Sequence, residues 1–215
     1  TDNYGVYLHN GADIVTTSGP VTINGQAAAA TSTNSGVLIQ GAGTTVTTDS
    51  STLRISGTSA ATGNDNHGVF IQNNAALTTT SGMIDIDGTG SAAGVDNNNG
   101  VRIDNNVIVT TQTGAIDIDG TGNGSGTSIE GVLISNASVI RSQAGAGAGN
   151  VDITGTVATG GANNHFGVIL SSGGQVTSVN ADIDIRGTSG GTGASTYGLV
   201  LTDSSDVIVT GNGDI

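Results

Sequence analysis

Short runs of alternating apolar and polar residues recur along the chain at a nearly constant interval. One of these runs has the pattern Gly-Val-x-Ile/Leu, with Leu in place of Val in the last copy. Its seven copies begin at Gly5, Gly36, Gly68, Gly100, Gly131, Gly167 and Gly198. Successive copies are separated by 31, 32, 32, 31, 36 and 31 residues. A period between about 20 and 50 residues is typical of solenoid and array proteins.

Each repeat contains two further runs of the same kind. The second run resembles Val-Thr-Thr, as at residues 107–111, and the third has the pattern Ile-x-Ile-x-Gly, as at residues 84–88 and 116–120. Alternation with a period of two and many β-branched residues predict half-buried strands. The residues between the runs are mostly Gly, Asn, Ser and Asp, which predict turns. We therefore expect three strands in each repeat.

Equivalent runs match residue for residue when the repeats are placed on top of each other. This stacking aligns the Val and Ile of the first run in two inward columns that extend through the whole chain. It predicts an all-β fold, a right-handed parallel β-helix of about seven coils of roughly 32 residues, with three strands per coil. Right-handedness follows from the general preference of parallel crossover connections. We expect residues 1–215 to form a single segment of a longer array, with an Asn ladder at the turn after the first strand.

Composition supports this fold and excludes several classes of partner. The 215 residues include 37 Gly but only one Pro, no Cys, no Lys and a single Glu, so a helical or α/β domain is excluded in practice. The net charge of −13 with only four Arg argues against a nucleic-acid partner, which requires a basic surface. No run of 18 consecutive apolar residues is present, so we expect no membrane-spanning segment.

Acidic residues of the third run form a candidate cation site. The four side chains Asp85, Asp87, Asp117 and Asp119 point outward on two successive coils and form a square about 4.8 Å by 6.8 Å. Carboxylates at about this distance repel each other, and Ca²⁺, which prefers carboxylate oxygens, could bridge them. An acidic surface that only keeps the protein soluble is the alternative. Arg54 and Arg186 flank the square and could form ion pairs with it.

The central position of the first run predicts an outward apolar stripe. It is occupied by apolar or aromatic residues in six of the seven copies, with Arg102 as the exception. These six residues are Tyr7, Leu38, Phe70, Leu133, Ile169 and Val200. Exposed apolar surface of this extent usually marks a contact. We expect the stripe to bind other copies of the fibre or other segments of the same protein, unless a loop covers it.

No catalytic centre is apparent in the sequence. His9, His67 and His165 occupy three different positions relative to the motif Gly, so they cannot share one site, and we expect them on the surface. The four Arg residues lie on four different coils. We therefore expect that the chain is not an enzyme.

Taken together, the runs Gly-Val-x-Ile, Val-Thr-Thr and Ile-Asp-Ile-x-Gly-Thr-Gly resemble the β-strand repeats of giant bacterial cell-surface proteins. These are β-helical adhesins of the filamentous-haemagglutinin and autotransporter-passenger type. The resemblance covers the whole chain and implies an extracellular location at the bacterial surface and a role as a structural part of an adhesin or fibre. It implies a surface or carbohydrate ligand but no functional residue of this chain. A carbohydrate-active β-helix of the lyase or hydrolase type, whose site is lost or lies outside this segment, remains the alternative.

Overall fold

The computed structural model describes residues 3–29, 31, 33–143, 147–158 and 163–215, and all regular elements among them are β-strands. In chain order the strands are β1 Asn3–Leu8, β2 Asp13–Thr16, β3 Val21–Ala27, β4 Asn34–Gln40, β5 Thr45–Thr48, β6 Leu53–Ser59, β7 Asn66–Gln72, β8 Ala76–Thr79, β9 Ile84–Thr89, β10 Val101–Asp104, β11 Ile108–Thr111, β12 Ile116–Gly122, β13 Ile129–Ile134, β14 Val139–Ser142, β15 Val151–Val157, β16 His165–Leu170, β17 Gln175–Val179, β18 Ile183–Ser189, β19 Thr196–Leu201 and β20 Asp206–Thr210.

Every third strand belongs to the same parallel sheet. Sheet A has the order β1-β4-β7-β10-β13-β16-β19, sheet B the order β2-β5-β8-β11-β14-β17-β20, and sheet C the order β3-β6-β9-β12-β15-β18. The result is a parallel β-solenoid of six complete turns, with a seventh strand in sheets A and B. The predicted fold class is confirmed, and about seven coils was a slight overestimate. The right-handed sense stays a prediction.

The core consists of the aliphatic columns that the repeat predicted. Val37 pairs with Val69, which pairs with Val101, and Ile39, Ile71 and Ile103 form the neighbouring column. All six side chains are fully buried. Each well-buried aliphatic side chain contributes about 1.5–3 kcal/mol. Because each turn packs mainly against the turns above and below it, stacking rather than any single turn stabilises the fold.

Sheets A and C are in direct backbone contact at two columns of glycine. A Cβ atom on Gly57 of β6 would lie 2.1 Å from the carbonyl oxygen of Gly68, and one on Gly36 would lie 2.2 Å from the backbone nitrogen of Thr58. The same contacts recur from turn to turn along the solenoid. The motif Gly and the third-strand Gly are therefore both required by backbone-to-backbone contact, which the repeat pattern alone did not show.

The turns follow the repeat pattern only in part. The extra residues of the 36-residue repeat fall between β14 and β15 in the sequence. The predicted Asn ladder has only one amide-to-amide rung, from Asn105 Nδ2 to Asn73 Oδ1 (2.6 Å), because Asn136 donates to Asp104 instead. A second amide-to-amide rung lies in the interior, where Asn34 Nδ2 donates to Asn66 Oδ1 at 3.1 Å.

Candidate functional site

The outer face of sheet C carries the predicted carboxylate patch, which is Asp85, Asp87, Asp117 and Asp119. β9 and β12 pair in register, so that Asp85 lies beside Asp117 and Asp87 beside Asp119. The structure therefore brings together all four residues that the sequence singled out.

The surroundings of the carboxylate patch shift the pKa values of three of its aspartates. Partial burial, followed by repulsion from neighbouring carboxylates, raises the pKa of Asp85, Asp117 and Asp119 above the usual value. Opposing this, Arg54 on β6 donates from Nη1 to Asp85 and from Nη2 to Asp87. One edge of the patch is thus neutralised by an arginine, and the Asp117 side of the patch has no such partner among the described residues.

The described part of the chain contains no complete set of side-chain ligands around a single metal position. No three carboxylate, His or Cys side chains there converge closely enough to hold one ion. A cation bound at the patch would therefore bridge neighbouring carboxylates from the solvent side. The second arginine predicted to flank the patch, Arg186, pairs with Asp184 on its own strand.

The outer face of sheet A carries the predicted apolar stripe, but the stripe is less exposed than expected. Tyr7 is 40% exposed, whereas Leu38 is 2% and Phe70 9% exposed. Leu133, Ile169 and Val200 are half-buried. The expectation of a continuous exposed strip is therefore wrong for Leu38 and Phe70.

Burial of the stripe comes partly from a second outward column that precedes the motif Gly. The ring of His67 contacts that of Phe70 with a centroid distance of 4.9 Å, and Tyr4 contacts Tyr7 at the same distance. Both pairs join the residue before the motif Gly to the residue two after it. Because the Gly between them has no side chain, the two columns can fold towards each other on one face.

A cluster of four ionisable side chains and one aromatic ring lies in the same face, and the sequence did not predict it. It consists of His67, Phe70, Arg102, Asp104 and Glu130 on three successive turns. The Arg102 guanidinium lies 5.0 Å from the centre of the Phe70 ring, a cation–π contact, and its Nη2 donates to Asp104 at 2.9 Å. His67 accepts a hydrogen bond at Nδ1 from the backbone N–H of Asn99.

The pKa values within this cluster diverge strongly. Complete burial, with a smaller effect of the nearby Arg102, lowers the pKa of His67 to about 3. Burial also raises the pKa of Glu130 to about 7. Burial alone would raise the pKa of Asp104 as well, but hydrogen bonds from Arg102, Asn136 and Ser135 hold it below its usual value. His67 is therefore neutral and Asp104 ionised at neutral pH.

Two histidines expected on the surface are in fact buried. His67 is 1% exposed and His165 is not exposed at all. Burial also lowers the pKa of His165, against a smaller raising effect of the Ile129 backbone. Both residues lie within the sheet A columns, where the register of the strands decides their position. Their neighbours in the same columns, Ser35 and Ile129, are also buried, and the apolar Ile129 aligned with His165 is a sequence signal of an interior position.

None of the described residues forms a helix long and apolar enough to cross a membrane. No protein-family model, curated protein or solved structure matches the chain.

Proposed function

We propose that the chain is a structural repeat segment of an extracellular bacterial surface adhesin or fibre, where it associates with other copies or projects a binding region. The observation that supports this proposal is the unbroken register of all three sheets from the first turn to the last. At about 4.8 Å per turn, six turns form a rod roughly 30 Å long. A rod of this kind suits a spacer, and the resemblance of its repeats to surface adhesins supports the location.

The location is tested with an antibody against the 215-residue chain. The antibody should label intact cells that produce the protein, without permeabilisation. Labelling that appears only after the cells are permeabilised would exclude a surface fibre.

The carbohydrate-active alternative is tested by incubating the purified chain with a panel of acidic and neutral polysaccharides. Release of reducing ends or unsaturated uronates would favour the carbohydrate-active alternative.

Calcium is proposed as a ligand of the carboxylate patch. Addition of Ca²⁺ should raise the melting temperature, because the ion relieves repulsion that otherwise raises the pKa of Asp117. Asp117→Asn should reduce this gain, and it should also stabilise the calcium-free protein slightly. Differential scanning calorimetry with and without Ca²⁺ measures both effects.

A matched control for the calcium experiment is Asp206→Asn, at an exposed carboxylate on sheet B. The gain from Ca²⁺ should be unchanged in this variant. If Ca²⁺ has no effect on the wild-type protein, or if both variants lose the gain equally, the patch only contributes to solubility.

Self-association is proposed for the half-buried part of the stripe on sheet A. Leu133 and Ile169 lie beside each other on β13 and β16. Replacing both with Asp should keep the protein monomeric at concentrations where the wild type associates, as measured by sedimentation velocity. Ile108→Asp on the outer face of sheet B, where Ile108 is 43% exposed, should leave association unchanged. Equal association of all three proteins would place the contact elsewhere.

A further inference from the structure

The half-buried part of the stripe on sheet A has a single carboxyl group at its border. Leu133 of β13 lies beside Ile169 of β16, and Glu130 of β13 lies beside Phe166 of β16. Glu130 directly precedes the motif Gly of its turn, and Leu133 is the residue two after that Gly. In the first and third turns, aromatic rings occupy these two positions and contact each other. The register therefore places Glu130 at the position that borders Leu133.

Glu130 is already nearly withdrawn from solvent in the single chain. The residue is only 7% exposed. The side chain of Asn99 donates a hydrogen bond to its carboxyl group, and the charge of Arg102 acts on it as well. The Arg102 guanidinium, however, donates to Asp104, and none of the ion pairs among the described residues includes Glu130. A negative charge on Glu130 therefore has no ion-pair partner in this part of the chain.

The distribution of charge indicates which partner this face admits. The chain has a net charge of −13, so that two copies repel each other over much of their surface. Apart from Glu130, the outward side chains of β13, β16 and β19 are all uncharged. They are Leu133, Phe166, Ile169, Tyr197 and Val200. A second copy can therefore approach this face, whereas the carboxylate patch on sheet C would repel one.

We infer that two copies of the chain associate through this face about a two-fold axis, and that Glu130 of each copy must be protonated for the contact to form. This inference rests on the self-association proposed above and adds its control by pH. Leu133 and Ile169 of one copy cover the same residues of the other, as a two-fold contact requires. The contact removes the remaining solvent from the neighbouring carboxyl group. A neutral carboxyl group enters such an interface at a small cost, whereas an ionised one without a paired cation strongly opposes association.

Protonation of Glu130 changes in the neutral pH range, and that of its neighbours does not. Burial raises the pKa of Glu130 to about 7 in the single chain, so the group is mostly neutral at pH 6 and mostly ionised at pH 8.5. On the preceding turns, Arg102 stays charged, the pKa of Asp104 lies below its usual value, and that of His67 is about 3. β16 contributes only the ring of Phe166 at this position. Because each copy takes up one proton, the dissociation constant should rise by at least about 100-fold between pH 6 and 8.5.

The test is sedimentation equilibrium of the whole chain between pH 6 and 8.5, at about 0.15 M salt to screen the general repulsion between copies. Glu130→Gln, which keeps a group that accepts the Asn99 hydrogen bond, should associate at every pH as the wild type does at pH 6. Its dissociation constant should change by less than about threefold over this range. The matched control Asp206→Asn also removes one negative charge, but from the outer face of sheet B, and should keep the full pH dependence. Calorimetry of wild-type dilution in buffers of different ionisation enthalpy should show uptake of about one proton per copy at pH 8.

The outcomes separate this inference from the self-association on which it rests. If the wild type stays monomeric from pH 6 to 8.5, or if the variant with both Leu133→Asp and Ile169→Asp still associates, both proposals are overturned. If that double variant is monomeric while the wild type associates equally at every pH, only the role of Glu130 is overturned. The same holds if Glu130→Gln keeps the pH dependence of the wild type.

Discussion

Gly57→Ala is expected to destabilise the solenoid by about 3 kcal/mol or more, although it adds only one methyl group. The new Cβ would lie 2.1 Å from the carbonyl oxygen of Gly68 and 2.9 Å from a methyl group of Val69. Overpacking in a rigid core costs about 1–3 kcal/mol, and more where the neighbour is backbone. Here the obstructing atom belongs to a strand of sheet A that is hydrogen-bonded on both sides, so sheets A and C must separate locally. Urea denaturation followed by circular dichroism measures the loss.

Gly19→Ala is the matched control for this substitution. The closest atom to a Cβ on Gly19 is the hydroxyl oxygen of Thr16 at 3.4 Å, an ordinary contact. This variant should change the free energy of unfolding by less than about 0.5 kcal/mol. If the two variants are equally stable, the glycine columns do not set the distance between sheets A and C.

His67→Asn is expected to remove much of the protein's sensitivity to acid. The folded protein holds the pKa of His67 at about 3, while the unfolded chain has the ordinary value of 6.5. As the pH falls below 6.5, the unfolded state takes up a proton that the folded state does not, so stability decreases. At 1.36 kcal/mol per pKa unit, the full effect at pH 3 amounts to roughly 5 kcal/mol. Chemical denaturation between pH 3 and 7 should show a shallower loss in the variant, because Asn accepts the Asn99 hydrogen bond without titrating.

Glu130→Gln should have the opposite pH dependence. The pKa of Glu130 is about 7 in the folded protein and 4.5 in the unfolded chain. The stability that this raised pKa contributes is complete below pH 4.5 and is lost as the pH rises to 7, by roughly 3 kcal/mol. The stability of the variant relative to the wild type should therefore increase as the pH rises from 4.5 to above 7. Parallel pH profiles of both variants and the wild type would mean that the pKa of neither group differs between the folded and unfolded states.

Periodicity predicted the fold because each strand repeats the same inward columns. Val37, Val69 and Val101 could be aligned from the sequence alone, and the structure places them in register. The carboxylate patch followed from the same alignment, since Asp85 and Asp117 occupy one column. Whether this patch binds calcium stays a prediction.

Contacts between sheets were not predictable in the same way. The sequence gives no measure of the distance between β4 and β6, so it does not predict that Gly36 packs against Thr58. The burial of Phe70 depends on His67, three residues earlier, and on Arg102 one turn away. For the same reason the sequence does not predict that Glu130, the only glutamate in the chain, is buried.

The glycine columns also restrict how the length of the rod can change. Because each glycine contacts only its own turn and the next, duplication of one 32-residue unit inserts a new turn without altering any existing contact. The rod then grows by a fixed step of about 4.8 Å. A duplication that does not correspond to a whole repeat would shift the glycines out of their columns, whereas whole repeats of 31, 32 and 36 residues all keep them there. Recombination between repeats can thus change the length of the rod only in whole turns.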